Sequence, residues 1–270
     1  MVSLKKLFFI FLLTTILVSV VLVMSSCEKL VTVSNSCKVV EVIDGDTIKV
    51  IYNGAETSVR YIGIDAPETH SGEKPIGEYG QEAYQFNKKL ISEAGNKVTL
   101  EFDKQLYGTY HRLLAYVYVH LPATTVMLNA DIIKNGLAWP LTYFDTSKHT
   151  KEFWSDYRYA YQHRLGLFSK YDIAPIVDAS SVDDNLSVYV GKLTWVKFHP
   201  TEYSTSSYFV SLSSTYFNVT VRTPELGEFS TPLNTLYLNK NIRVYGEVWE
   251  RYGKGEMLLH APFEFKIIDR

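Results

Sequence analysis

Two short turns of the sequence carry paired carboxylates. Asp44 and Asp46 flank a glycine, and the second pair, Asp65 and Glu68, flanks an Ala-Pro dipeptide. Oxygen atoms from clustered carboxylates, carbonyls and water are the ligands that calcium prefers. The histidines and cysteines show no spacing that is typical of a zinc site. The two turns together therefore indicate a site for a hard cation.

A single Asp-Gly-Asp segment is weak evidence for a metal site, because Asp is an ordinary residue of turns. The second acidic turn makes the functional interpretation stronger. Two arginines, Arg60 and Arg112, add to it. We therefore treat the acids and arginines as one candidate site.

Four motifs resemble the thermonuclease family, also called staphylococcal nuclease. They are VIDGDT at 42–47, RYIGIDAPET at 60–69, YGQEA at 79–83 and YHRLLAYV at 110–117. They occur in the order and spacing of that family, from about residue 37 to residue 169. Four ordered motifs are far more specific than any single short pattern.

The resemblance implies a mainly β fold, in which a five-stranded OB-like barrel carries three helices. It also implies the hydrolysis of phosphodiester bonds in DNA and RNA with calcium. In the family pattern, Asp46 and Asp65 bind calcium through their carboxylates, and the backbone carbonyl of Ala66 is the third protein ligand. Many relatives have Thr at the last position, but a carbonyl ligand does not need that hydroxyl.

The same resemblance implies catalytic roles for three side chains. Glu68 matches the acid that orients or deprotonates the attacking water, a role that requires a carboxylate within hydrogen-bond reach. Arg60 and Arg112 match the two arginines that hold the scissile phosphate. Planar guanidinium groups neutralise the charge that builds on phosphoryl oxygens, and lysine is a poor substitute.

Further residues are expected near this site. Asp44 is expected to form the turn or to support the ligands from behind, and Tyr110 to contact a substrate phosphate. Tyr143 is a candidate for stacking on a base, although it is offset by one residue from the family position. The chain has Thr109 and His111 where relatives commonly have Lys and Gly. We expect weaker phosphate contacts around this loop.

Hydrophobic periodicity predicts the elements that position these residues. Alternating β-branched runs over residues 36–59 predict a β-meander, and further strands are predicted over residues 97–102 and 113–119. Apolar residues at helical spacing predict three helices, which span residues 78–94, 126–135 and 151–164.

The domain prediction divides the rest of the chain. A nuclease domain over residues 36–169 is followed by a linker over residues 170–187, where periodicity is lost. Residues 188–270 alternate without a convincing helix and predict an OB-like all-β barrel or sandwich. Its aromatic and cationic side chains predict either a single-strand-binding surface or simply barrel core with a solvated hairpin. These side chains are Tyr208, Tyr216, Tyr245, Trp249, Tyr252, Arg243, Arg251 and Lys254.

Residues 1–26 have the pattern of an export signal or a membrane anchor. Two lysines precede an apolar run over residues 7–24 that suits a signal peptide or a membrane span. The following Ser-Ser-Cys resembles a bacterial lipoprotein box with Cys27 as the acylated residue, although Met24 departs from the usual Leu. The alternative is a disulfide with Cys37, the other cysteine. If Cys27 is acylated, Cys37 is a small buried hydrophobe.

Composition limits the functional classes. A formal charge of −2 over 270 residues lacks the basic signature of tight nucleic-acid binders, and 46% hydrophobic residues describe a globular chain. We expect a calcium-dependent endonuclease of low sequence specificity. Its expected location is the cell envelope, tethered through Cys27 or the apolar segment, or outside the cell. The alternative is a non-catalytic envelope protein that binds nucleic acid or a partner.

Overall fold

The computed structural model describes residues 34–70, 72, 74–142 and 148–268. Its N-terminal part is built from eight strands and three α-helices. The strands are β1 (Ser34–Val42), β2 (Thr47–Tyr52), β3 (Ala55–Tyr61), β4 (Ile64–Asp65), β5 (Lys97–Glu101), β6 (Leu113–His120), β7 (Thr125–Met127) and β8 (Trp139–Pro140). The helices are α1 (Gly80–Glu93), α2 (Leu128–Lys134) and α3 (Thr150–His163).

Five of these strands form a closed barrel. The hydrogen-bonded order is β3-β2-β1-β5-β6, and β3 also pairs with β6 in parallel, with Val59 opposite Leu113. Inward-facing residues alternate along the strands, so that Ile48 and Val50 are fully buried. This is the five-stranded OB-like barrel that the resemblance implied.

The three predicted helices are confirmed, with bounds shifted by one or two residues. Each buries the face that its sequence pattern indicated; in α3, Phe153, Trp154, Tyr157 and Ala160 are buried. On α1 the buried stripe contains a polar residue, Asn87, between apolar positions. The side chain of Asn87 donates a hydrogen bond to the turn that contains Asp44.

The segment predicted to be a linker is instead folded. Residues 170–187 contain β9 (Ile176–Asp178) and α4 (Ala179–Asp184), and α5 (Leu186–Tyr189) begins at their end. Ala179 and Val182 are buried in a hydrophobic core. Elements of three to six residues are too short to show a repeat, which explains the absent periodicity.

The C-terminal part is formed by two sheets that enclose a second core. Besides β9, their strands are β10 (Leu193–Phe198), β11 (Glu202–Thr205), β12 (Phe209–Ser213), β13 (Phe217–Arg222), β14 (Ile242–Glu247), β15 (Trp249–Arg251), β16 (Lys254–Leu259) and β17 (Phe265–Ile267). One sheet has the order β17-β14-β10-β9 and the other β11-β12-β13-β16-β15. This arrangement corresponds to the sandwich form of the predicted all-β unit.

Two local predictions for this part were wrong. Val188 and Tyr189, predicted to be extended, lie in the short helix α5, and a further helix, α6 (Leu233–Tyr237), interrupts the β pattern. Tyr245, a candidate for base stacking, is 1% exposed. Its side chain is buried because the ring packs against Tyr171 and Trp195, and its hydroxyl donates to the carbonyl oxygen of Leu167 at 2.7 Å.

The two parts are joined by apolar packing and buried hydrogen bonds. Trp195 and Tyr245 of the C-terminal part belong to the same core as the barrel. The indole Nε1 of Trp195 donates to the carbonyl oxygen of Tyr171 at 2.7 Å. The hydroxyl of Tyr157 on α3 donates to Glu264, which is 1% exposed. Residues 170–187 therefore do not separate two independent domains. The hydrophobic core continues from the barrel into the C-terminal part.

The N-terminal predictions concern Cys27 and its neighbours, which lie outside the described residues. Cys37 is buried in the barrel core, as a small hydrophobe would be. Within the described part of the chain, no helix combines the length and the apolar character needed to span a membrane.

Candidate active site

A cleft of about 500 Å³ opens at one end of the barrel. The predicted acids and arginines line it together, although they come from separate segments of the chain. The predicted residues on its wall are Asp44, Asp46, Arg60, Asp65, Glu68, Tyr110 and Arg112. Ala66 lies next to this wall, and Tyr143 lies outside the described residues.

The first acidic turn, between β1 and β2, is held by its own side chains and by α1. The Oδ1 atom of Asp44 accepts the N–H of Asp46 at 2.9 Å, a hydrogen bond that closes the turn. Asn87 on α1 donates to the carbonyl oxygen of Asp44 at 3.1 Å. A Cβ at Gly45 would lie 2.7 Å from the Cβ atoms of Ala66 and of Ala83, so only glycine allows this approach.

The second acidic turn meets the first directly. Asp65 lies in β4, where it pairs with Trp139 of β8. The N–H of the next residue, Ala66, donates to the Oδ2 atom of Asp46 at 2.7 Å. Asp46 and Asp65 are 5% and 4% exposed. The two turns thus form one buried acidic pair.

Arg60 lies between the two buried carboxylates. Its Nη2 atom is 2.9 Å from Oδ2 of Asp46 and 2.9 Å from Oδ1 of Asp65. Its Nη1 atom donates to the carbonyl oxygens of Tyr61 and Ile64 at 3.1 and 2.8 Å. The guanidinium is therefore fixed by the protein before any substrate is considered.

The two acids differ in their electrostatic surroundings. Burial raises the pKa of Asp46 to about 7, although Arg60 opposes the shift. Burial would also raise the pKa of Asp65, but Lys74 and Arg60 together lower it below its ordinary value. The difference arises because Lys74 contacts only one of them: its Nζ lies 2.7 Å from each oxygen of Asp65.

Glu68 lies at the edge of the same cluster. Its Oε1 atom is 3.7 Å from Nζ of Lys74, and its side chain is 35% exposed. Burial raises the pKa of Glu68, while Lys74 lowers it, and the net shift is upward. A carboxylate with a raised pKa that still reaches solvent is suited to exchange a proton with water.

Arg112 belongs to a more open part of the cleft wall. Its Nε atom is 3.5 Å from the carbonyl oxygen of Thr109, and its guanidinium lies 5.9 Å from the ring centre of Tyr110. Tyr110 is 71% exposed. Tyr110 and His111 adopt left-handed backbone angles, with φ of 60° and 55°. Glycine is common in relatives at the second position because it adopts this conformation without strain.

The donor set fits a hard cation. The facing oxygens of Asp46 and Asp65 contact the same Arg60 nitrogen, so they are no further apart than twice 2.9 Å. Two oxygen ligands of one calcium ion stand at most about 4.8 Å apart, so the upper limit set by Arg60 includes separations that a single calcium ion can bridge. The described residues contain no group of three or more His, Cys, Asp or Glu side chains arranged for a metal. A cation here would therefore require a backbone carbonyl and water as well.

Comparison with known proteins identifies the family of this chain. The staphylococcal nuclease homologue family matches residues 58–170. An uncharacterized protein of Methanocaldococcus jannaschii is 30% identical over 148 residues, which are 49% of this chain and 70% of that protein. The chain belongs to the staphylococcal nuclease family.

Other relatives carry functional names. Endonuclease YncB of Bacillus subtilis is 40% identical over 130 residues, 47% of this chain and 59% of that protein. The thermonuclease of Staphylococcus hyicus is 44% identical over 101 residues, 37% of this chain and 56% of that protein. The chain thus spans little more than half the length of these two relatives.

The staphylococcal nuclease segment does not contain the whole cleft. Asp44 and Asp46 precede the matched range, and Arg222, at the end of β13, follows it and still lines the cleft. Three contributors were missed from the sequence: Asn87, Lys74 and Arg222. Only Asn87 carried a signal, as a polar residue between Ala83 and Ile91 on the buried helix face.

Proposed function

We propose that the protein is a calcium-dependent nuclease that hydrolyses phosphodiester bonds of DNA and RNA. The observation that carries the proposal is the meeting of two acidic turns and two arginines in one cleft. The names of two relatives, endonuclease and thermonuclease, support the same reaction. Asp46, Asp65 and the carbonyl of Ala66 are the proposed calcium ligands.

Each of the three proposed catalytic side chains has its own role in the reaction. Glu68 accepts a proton from the attacking water, whose oxygen bonds to phosphorus while the bond to the leaving oxygen breaks. Arg112 and Arg60 neutralise the charge that develops on the phosphoryl oxygens. Bound calcium would polarise a phosphate oxygen and orient the substrate.

The proposed substrate contacts predict low sequence specificity. Guanidinium groups that bind phosphate oxygens carry no information about the bases. The formal charge of −2 further favours local and weak binding, which is compatible with turnover. Both DNA and RNA are accordingly expected to be cleaved.

The test is hydrolysis of end-labelled DNA and RNA by the full chain, with calcium and then with a chelator. We expect shortened products only with calcium. Glu68→Gln should lower kcat by a factor of about 100 or more with little change in KM. Glu82→Gln, an exposed change on α1, is the matched control. A protein that retains nucleic acid in a gel but leaves its length unchanged would be the non-catalytic binder instead.

We also propose that the protein acts at the cell envelope, as a lipoprotein acylated at Cys27. The supporting observation is the sequence pattern alone, a basic start and an apolar run followed by Ser-Ser-Cys. The mass of the mature N-terminal peptide tests it. A diacylglyceryl adduct on Cys27 is expected, whereas a retained residue 1–26 segment or an unmodified cut would indicate an anchor or a secreted enzyme.

A further inference from the structure

Arg222 is the cleft residue that neither the sequence motifs nor the family match indicated. It ends β13 in the C-terminal sandwich, beyond the matched residues 58–170. Its side chain nevertheless lines the same cleft as Arg60, Asp65 and Arg112. The C-terminal part therefore supplies a cation to a cleft that the barrel alone does not complete.

The position of Arg222 is set by rigid surroundings. Its backbone is fixed opposite Phe209 in the β12–β13 ladder, and its guanidinium lies 5.7 Å from the Phe209 ring centre. Its Nε atom lies 3.9 Å from Oε1 of Glu225. The side chain is 17% exposed, so it is mostly packed and still reaches the cleft. A group placed in this way loses little freedom when it binds a ligand.

Glu225 connects this arginine to the nuclease domain. It is fully buried, and its Oε2 atom is 3.0 Å from Nδ1 of His260. Its Oε1 atom accepts the N–H of Thr142, on the nuclease side, at 3.4 Å. The carboxylate thus ties Arg222 to the chain segment that follows β8. Movement of the two parts relative to one another would break these contacts.

The ligand that suits this position is a second phosphate group. A nucleic-acid strand carries one negative charge per nucleotide, so a strand in the cleft presents further phosphates beside the scissile one. Arg60 and Arg112 are assigned to the scissile phosphate under the proposed function, on which this step rests. Arg222, which comes from the C-terminal part, is assigned to a neighbouring phosphate.

We propose that Arg222 binds a non-scissile phosphate of the substrate strand, so that the C-terminal sandwich is part of the substrate-binding site. Arg222 then acts on substrate affinity rather than on the bond-breaking step. Its contribution grows with substrate length, because a substrate with a single phosphodiester has no second phosphate to offer.

The experiment compares two substrates in the full chain with calcium, a single-stranded oligonucleotide and bis(p-nitrophenyl) phosphate. We expect Arg222→Gln to raise KM for the oligonucleotide about tenfold, as for the loss of one charge-assisted hydrogen bond, with kcat nearly unchanged. Neither constant should change for the single phosphodiester. Lys197→Gln is the matched control, since Lys197 pairs with Asp178 in the same sandwich and does not line the cleft.

Salt dependence of binding gives an independent reading. Binding is measured as the Kd for the oligonucleotide in proteins that also carry Glu68→Gln, which prevents cleavage. In a plot of log Kd against log salt concentration, Arg222→Gln should lower the slope by about 0.7. Arg222→Lys keeps a positive charge next to the buried Glu225. We therefore expect this variant to fold. It should keep the salt slope and raise oligonucleotide KM several-fold, because the bidentate fork is lost.

The outcomes separate this proposal from the proposed function. Equal losses on both substrates, or an unchanged KM and salt slope in Arg222→Gln, would show a purely structural arginine. If Arg222→Gln does not fold, an oligonucleotide KM in Arg222→Lys equal to that of the unaltered protein overturns the proposal. Failure of the unaltered protein to cleave either substrate would instead overturn the nuclease assignment.

Discussion

Lys74 donates to both carboxylate oxygens of Asp65, at 2.7 Å each. The ammonium group therefore contacts the same oxygens that a calcium ion would need. Burial would lower the pKa of Lys74, but Asp65 raises it above its ordinary value, so the lysine stays charged near neutral pH. Lys74 also lies 5.4 Å from the ring centre of Trp249, which gives it an alternative partner.

We predict that Lys74 competes with the cation. Lys74→Met should lower the calcium concentration for half-maximal activity by roughly tenfold, because one charge-assisted contact no longer has to be displaced. The measurement is a calcium titration of oligonucleotide hydrolysis. Lys49→Met, which removes an ion pair with Glu41 outside the cleft, should leave the titration unchanged. A higher calcium requirement in Lys74→Met would mean that the lysine supports the site.

Arg60 is predicted to have a structural role in addition to its proposed catalytic role. Arg60→Met leaves two buried carboxylates facing one another, which should lower the free energy of unfolding by about 3 kcal/mol without calcium. Saturating calcium should reduce this deficit, because the cation neutralises the same oxygens. Urea denaturation with and without calcium measures both quantities.

The control for Arg60 is an arginine in an exposed pair. Arg158 contacts Glu228 at 2.9 Å with a side chain that is 47% exposed. Arg158→Met should change the free energy of unfolding by less than about 1 kcal/mol, with no dependence on calcium. An equal deficit for Arg60→Met with and without calcium would show that the cation does not bind between Asp46 and Asp65.

The continuous interior predicts cooperative unfolding of the two parts. Trp195 is 2% exposed and packs against Tyr171 and Tyr245 at ring-centre distances of 4.8 and 5.3 Å. Trp195→Ala should lower the free energy of unfolding by about 3–5 kcal/mol. Trp195→Phe keeps the ring packing, loses the indole hydrogen bond and should cost about 1 kcal/mol.

The measurement follows heat unfolding by far-ultraviolet circular dichroism and by residual nuclease activity. In both Trp195 variants the two probes should give the same lowered midpoint, because one core contains residues of both parts. Activity that outlasts the loss of β-structure would show that the nuclease domain is stable without the C-terminal sandwich.

The sequence predicted those features that a local pattern determines. The barrel strands follow from alternation at residues such as Ile48 and Val50, and α1 follows from Ala83 and Ile91. The resemblance indicated which acids and arginines would meet. It did so because each motif contains both a turn and the side chain that the turn positions.

The sequence could not predict the contributions that arise only from tertiary packing. The local sequence around Lys74 and Arg222 shows no pattern that indicates the cleft, and Arg222 reaches it from the C-terminal sandwich. Residues 170–187 appeared irregular because β9 and α4 gain their stability from the C-terminal core rather than from a repeat of their own. Tyr245 resembled an exposed OB-surface aromatic because its burial depends on the neighbouring part of the chain.

Glu247 is a buried carboxyl group whose ionisation should oppose folding. It is 5% exposed at the end of β14, and its Oε2 atom accepts the indole N–H of Trp249 at 2.6 Å. Its Oε1 atom has no hydrogen-bond partner among the described residues. A Cβ at Gly77 would approach this oxygen to 2.2 Å, so the surroundings are tightly closed. Burial raises the pKa of Glu247 to about 7.

The direction of the pH effect follows from this raised value. The folded protein holds the proton more tightly than the unfolded chain, so the stabilisation is complete below the ordinary pKa of 4.5 and is lost as pH rises through about 7. The loss amounts to about 3 kcal/mol at the conversion of 1.36 kcal/mol per pKa unit. Glu247→Gln mimics the protonated group and should remove this part of the pH dependence.

The measurement is the free energy of unfolding from urea titrations at pH 5, 6, 7 and 8. As pH rises, Glu247→Gln should become increasingly more stable than the unaltered protein. Because the other titrating groups are the same in both proteins, the change in this difference reports on Glu247 alone. Glu250→Gln, an exposed change on the adjacent β15, should follow the unaltered protein at every pH. A constant difference across the range would contradict the prediction, because it would show that the folded protein does not hold the Glu247 proton more tightly than the unfolded chain.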